Sequence, residues 1–184
     1  RKIIDRLAIN ARLKAIIGDG AYNVSMRGEI LDLFKSTLTT SKAEVQKRFE
    51  ICGETTECGG QAMRGNTFLI DQLIRIIFDI ATNQVYPRAN KSTSEKLCIV
   101  ALGGYGRKEL APFSDVDLMF LIPYKETPYS EQIIEFILYM LWDLGLKVGH
   151  STRSVNDVVR LAKQDITIRT SVLDARWLRG DQLL

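Results

Sequence analysis

The sequence predicts an α/β (α+β) fold, a small mixed sheet packed by helices and preceded by a helical N-terminal layer. Three features predict it. Up to about Asn83 the apolar residues recur at helical spacing; after Pro87 they gather into short, partly β-branched runs; and beyond those runs lies an amphipathic stretch that needs a sheet to pack on. The change near Pro87 divides the 184 residues into a helical region, 1–83, and a core, 84–184.

In chain order, residues 23–50 carry Ile30, Leu31, Leu33, Phe34, Leu38 and Val45 among charged neighbours, a broken helical stripe that Asn23 or Ser25 can cap. Cys58-Gly59-Gly60 interrupts the pattern. A second helix is then expected over 61–81, with Leu69, Leu73, Ile76, Ile77 and Ile80 on one face and Arg64, Asp71 and Arg75 as surface or pairing residues. Residues 88–96 are polar and read as a loop. Residues 97–102 form a β-type run ended by Gly103-Gly104, and Val116–Ile122 is a second, bounded by Ser114-Asp115 and Pro123. Residues 130–144 read as a helix capped by Ser130 and stopped by Gly145, with Phe136 and Trp142 as core candidates. Residues 147–154 suit a third strand. Short helices are expected over 156–163 and 167–178, the latter ended by Gly180; Arg169, Arg176 and Arg179 could meet phosphates or an acidic partner, with a solvated helix face the favoured reading.

Composition narrows the function. An apolar share of 46% and a charged share of 26% are ordinary for a globular chain long enough to bury its own core, which excludes disorder, collagen-like repeats and a disulfide scaffold. The longest unbroken apolar run, 136–142, is far short of the roughly 20 residues that cross a bilayer, and no secretory signal pattern is present. No membrane partner and a cytoplasmic location are therefore expected. The net charge of +3, from 25 basic and 22 acidic residues, is too mild for a nucleic-acid footprint. Cys52, Cys58 and Cys98 stand at no metal-ligand spacing, so reduced thiols are expected. Histidine occurs once, as His150.

The chemistry concentrates between Leu102 and Leu118. Asp115 and Asp117, two apart on a strand, put both carboxylates on one face. Held that close they repel unless a cation lies between them, and Mg²⁺ takes one or two carboxylates together with substrate phosphates. Alone, the pair also suits a solvated strand end. Gly103-Gly104 follows a strand and precedes a segment, 105–110, able to start a helix; missing Cβ atoms and free N–H groups can cradle a phosphate, although such a pair is also a common tight turn. No Gly-Lys-Ser/Thr follows, and Glu109 stands where a dinucleotide fingerprint needs its third glycine.

Taken together, a strand, Gly103-Gly104, a ten-residue spacer and Asp115-Val116-Asp117 resemble the nucleotidyltransferases of the polymerase-beta superfamily. Gly103-Gly104-Tyr105-Gly106-Arg107 with Glu109-Leu110, Pro112 and Ser114-Asp115-Val116-Asp117-Leu118 is similar to the N-terminal nucleotidyltransferase domain of the bacterial PII uridylyltransferase/uridylyl-removing enzymes. So is the block Trp142-Asp143-x-Gly145-Leu146-x-Val148-Gly149-His150-Ser151-x-Arg153. The resemblance implies transfer of UMP from UTP to a tyrosine of the PII nitrogen-signalling protein, with release of pyrophosphate. Asp115 and Asp117 would then hold Mg²⁺ or Mn²⁺, and Gly103 and Gly104 would cradle phosphate oxygens. Arg107 would contact phosphate or pair with an acid such as Glu109, and Ser114 would bond phosphate or end the loop.

The superfamily commonly adds a third carboxylate from a later strand. Residues 147–154 contain none, and Asp143, Asp165 and Asp174 are the nearby alternatives. His150 is either a proton acceptor for the attacking tyrosine or a hydrogen-bonded scaffold residue. Base selection lies outside the motif, so a sibling that transfers AMP to a protein or small molecule stays open; a silent nucleotide-binding module is disfavoured by the two intact aspartates. The resemblance also implies a longer protein, with an HD-type hydrolase for uridylyl removal and ACT domains downstream, and the ends at Arg1 and Leu184 agree with a fragment. An HD site needs several metal-binding histidines, so the lone His150 places the removing activity outside these residues.

Overall fold

The computed structural model describes residues 3–18, 22–88 and 92–184. Helix α1, Arg6–Ile17, is capped by Asp5, whose carboxylate accepts the Leu7 and Ala8 N–H groups. Helix α2, Met26–Cys52, follows a turn in which the Asn23 side chain accepts both the N–H and the hydroxyl of Ser25; Ser25 itself makes no capping bond. Helix α3, Thr56–Ile80, continues into a π-helical turn, Ala81–Val85. Cys58-Gly59-Gly60 does not break this helix. Thr55 accepts the Cys58 N–H and starts the helix before the glycines, which then cost helical stability without ending it.

The expected loop over 88–96 lies partly outside the described residues and includes a 3₁₀ turn, Thr93–Glu95. Strand β1, Cys98–Ala101, leads into a single helical turn, α4, Gly103–Gly106, shorter than the 105–110 segment suggested. Strand β2 is Val116–Ile122. Helix α5, Pro128–Asp143, begins earlier than expected, because Thr127 rather than Ser130 is the cap; Ser130 returns a bond to the Thr127 N–H in a capping box. It ends at Gly145 (φ 75°), with Leu146 N–H reaching Leu141 O and Gly145 N–H reaching Trp142 O, a Schellman pair. Trp142 is not core: it is 43% exposed. Phe136, half-buried, meets Tyr22 and Tyr86 edge-on.

Strand β3, Val148–Ser154, is followed by α6, Val155–Gln164, and α7, Ile166–Leu173. The helix expected over 167–178 stops at Leu173. Arg176–Gly180 is instead a strand, β4, that pairs antiparallel with β1, so Arg176 and Arg179 do not lie on a helix face. The sheet order is β3-β2-β1-β4, with β1 antiparallel to both neighbours and β2 parallel to β3.

One core joins the helical layer to the sheet. Ile30 and Phe34 of α2, Leu69, Leu73 and Ile77 of α3, Ile133 and Ile137 of α5, and Ile99, Leu118, Phe120 and Leu178 of the sheet are all buried in it. The opposite sheet face carries a smaller cluster of Cys98, Val100 and Met119, bordered by Trp177 and by Val158 of α6. Cys52 and Cys58 form a disulfide across the α2–α3 turn, contrary to the reduced thiols expected; two helix ends brought together over a six-residue separation place their sulfurs side by side. Cys98 is free and buried, and burial pushes its thiol up to about 11.

Candidate active site

The sheet brings the two halves of the motif to one end. Leu102 N–H donates to Asp117 O at 3.0 Å, so the chain leaving β1 and the chain entering β2 run side by side there. Gly103 turns away at φ 54°, a left-handed conformation that suits glycine, and a Cβ on it would lie 3.4 Å from Asp117 Oδ2. The turn closes on its own carbonyls: Gly106 N–H to Leu102 O at 2.8 Å, and Glu109 N–H to Gly104 O at 2.8 Å. Lys108 and Phe113 then adopt positive φ (66° and 71°), and Phe113 is 98% exposed.

Asp115 and Asp117 are both exposed and point to the face opposite the main core, since Val116 and Leu118 between and beyond them are buried in that core. Asp117 also borders β3: a Cβ on Gly149, its register partner, would come within 2.6 Å of Oδ1. Its carboxylate thus sits between two positions without side chains. Partial burial and then the Asp115 charge hold the Asp117 carboxyl above the usual carboxylate range. That excess negative charge, on hard oxygen donors held between two glycine positions, fits a divalent cation. Among the described residues no group of three or more His, Cys, Asp and Glu could hold one, so the remaining ligands would be nucleotide oxygens and water.

The three alternative third carboxylates are engaged elsewhere. Asp143 pairs with Arg27, Asp165 caps α7 by accepting the Thr167 N–H, and Asp174 pairs with Arg107. Arg107 is also bonded to Glu109 at 3.0 Å, and those two acids raise its pKa further, the Glu109 bond first. The guanidinium lies over the turn, with Nη2 3.8 Å from where a Gly104 Cβ would be. Ser114 is exposed at the start of β2. His150 pairs with Leu118 and so shares its face, away from the carboxylates, with its ring 6.0 Å from that of Trp142.

Two features of this end have no counterpart in the sequence reading. Gly149 lies between Val148 and His150 in the sequence, with no carboxylate beside it, and only the β2–β3 pairing sets it next to Asp117. The other is Arg176, whose guanidinium donates to both oxygens of Asp71 (2.7 and 3.0 Å), to Gly106 O (3.0 Å) and to Tyr105 O (3.1 Å). It also lies over the Tyr105 ring at 5.4 Å. Asp71 on the apolar stripe of α3 was the clue to that partner. The buried Tyr105 hydroxyl has its pKa raised well above the ordinary value, by burial first and then by the Asp71 charge.

Known proteins resemble this chain along its whole length. Over 184 residues the chain is 46% identical to the bifunctional uridylyltransferase/uridylyl-removing enzyme of Rhodospirillum rubrum and 42% identical to that of Azospirillum brasilense, in each case along 100% of the chain and 19% of the relative. The chain is homologous to this enzyme family. It spans about a fifth of the length of the curated uridylyltransferase/uridylyl-removing enzymes it matches. Residues 60–135, which include both the glycine turn and the carboxylate pair, also match the model of a related family, the glutamate-ammonia ligase adenylyltransferases. No described helix is long and apolar enough to cross a membrane.

Proposed function

We propose that this chain carries the nucleotidyl-transfer site of a uridylyltransferase, moving UMP from UTP to a tyrosine of the PII protein. The observation that carries the reading is the Asp117 carboxylate beside Asp115, flanked by Gly103 and Gly149, in a chain whose full-length relatives bear the uridylyltransferase name. Asp115 and Asp117 would hold Mg²⁺ or Mn²⁺. The ion would supply charge neutralisation at the triphosphate.

The rest falls to the chain's own groups. Gly103 and Gly104 leave room for phosphate oxygens to approach the backbone. Arg107 would exchange its pairing with Glu109 and Asp174 for the triphosphate, to which a guanidinium offers a fork of donors. The phenolic oxygen forms a bond to the α-phosphorus, the bond from that phosphorus to the pyrophosphate oxygen breaks, and the phenolic proton leaves to water. Positioning and charge stabilisation suffice for such a transfer, so no general base on the Asp117 face is required. Cytoplasmic location accords with this substrate.

The match to the adenylyltransferase family favours AMP transfer as the second reading. Incubation of the chain with labelled UTP or ATP, with Mg²⁺ and with or without PII, separates them. UMP on PII, dependent on the metal, is the expected outcome; label from ATP alone would assign the chain to the second reading.

A further inference from the structure

Among the described residues β3 is an outer strand whose one neighbour is β2, so its outward N–H and C=O groups have no strand beside them. Thr152 O belongs to that outward row, since it accepts from Arg153 Nη1 (3.0 Å). A cleft of about 660 Å³ follows the edge, lined by His150, Thr152 and Arg153 and, on the turn after β2, by Tyr124 and Lys125. Lys125 and Arg153 have no carboxylate partner among the described residues, whereas Arg160 at the far end is paired with Asp157. Glu126 is the acid of the same cleft that has no basic partner among the described residues, which leaves an excess of positive charge.

The position of this edge relative to Asp117 matters. On the proposed reading the triphosphate tail takes the Gly103-Gly104 turn, on the β1 side of Asp117. In-line displacement then brings the attacking oxygen from the opposite side, over β3. There Gly149 presents no side chain. A strand added outside β3 would lie two spacings, about 10 Å, from β2. Strand side chains stand roughly perpendicular to the sheet, so the acceptor side chain has to lean inward over the bare Gly149 position; a tyrosine is long enough to do so, whereas serine and threonine are not.

We propose that the outer edge of β3 is the docking rail for the acceptor, whose extended, acid-bearing segment adds to the sheet as a further strand and passes its tyrosine across Gly149 to the carboxylate pair. The rail rests on the nucleotidyl-transfer reading and adds to it the side and the manner of acceptor binding.

The test compares the wild-type chain with Thr152→Pro, which removes an outward N–H at a position where edge strands tolerate proline, and with the double variant Lys125→Glu/Arg153→Glu, a surface change that serves if the proline variant fails to fold. In each folded variant the KM for PII should rise about tenfold or more, with kcat at saturating PII kept. UTP affinity, measured by calorimetry with Mg²⁺ and no acceptor, should stay unchanged. An unmoved acceptor KM in the folded variants overturns the rail, as does a weakened UTP affinity, which would give the cleft to the nucleotide. A wild-type chain that binds UTP but transfers nothing overturns the transfer reading itself, and that result is visible without any variant.

Discussion

Asp117 holds its carboxylate where the surroundings disfavour its charge, and this has two separable consequences. Its pKa is raised in the fold, so ionisation costs stability as pH rises through that value, while below the ordinary carboxylate pKa the cost is absent. Asp117→Asn should therefore unfold at higher urea than the wild type at neutral pH, and the difference should vanish as the pH falls below the carboxylate range. Transfer by the same variant should drop about 100-fold or more, as when one element of a charge-stabilising site is removed. A variant that is both less stable and active would contradict the assignment. Gly149→Ala probes the same carboxylate from its neighbour. The added methyl has to displace Asp117 Oδ1, and misplacement on the ångström scale costs about 100-fold in rate; the melting temperature should barely change, because the displaced atom ends an exposed side chain.

At the scale of elements, β4 decides the shape of the glycine turn. Gly106 has no room for a Cβ, which would meet Asp174 O at 2.1 Å, and Arg176 ties the carbonyls of Tyr105 and Gly106 to Asp71 of α3. Arg176→Gln leaves Asp71 as a largely buried, half-compensated charge and should lower stability by about 3 kcal/mol in chemical denaturation. Arg176→Lys should recover little of it, because an ammonium cannot serve four acceptors in one plane. Of this the sequence marks only Asp71, an acid amid the apolar stripe of α3. Arg176-Trp177-Leu178-Arg179 sets two bulky residues between two charges, so no period-two alternation marks it as a strand, and the partners of Arg176 lie about 70 and 105 positions away. By contrast β2 was legible to its bounds, since five consecutive apolar residues lie between an acidic pair and a proline. The carboxylate pair and the glycine turn were legible as well, because strand alternation is local. The start of α3 was not: a single threonine cap outweighed two glycines.

For the molecule as a whole, one core links helices and sheet, and a covalent link at the α2–α3 turn adds to it. Closing so short a loop constrains the unfolded chain by about 2 kcal/mol, so reduction of Cys52–Cys58 should lower the melting temperature without altering nucleotide affinity, as a thermal scan with and without dithiothreitol would show. Cys98 should resist alkylation near neutral pH until the chain unfolds, because its thiol stays protonated under the sheet. The pair α6 and α7 contrasts with this core, for neither helix buries a residue fully. A protease should therefore cut first between Val155 and Leu173. The severed tail would nevertheless stay in place, held through β1, through Asp71 and through the Asp79–Arg179 bond, so the nicked protein would run as two pieces in denaturing gels and as one in native ones.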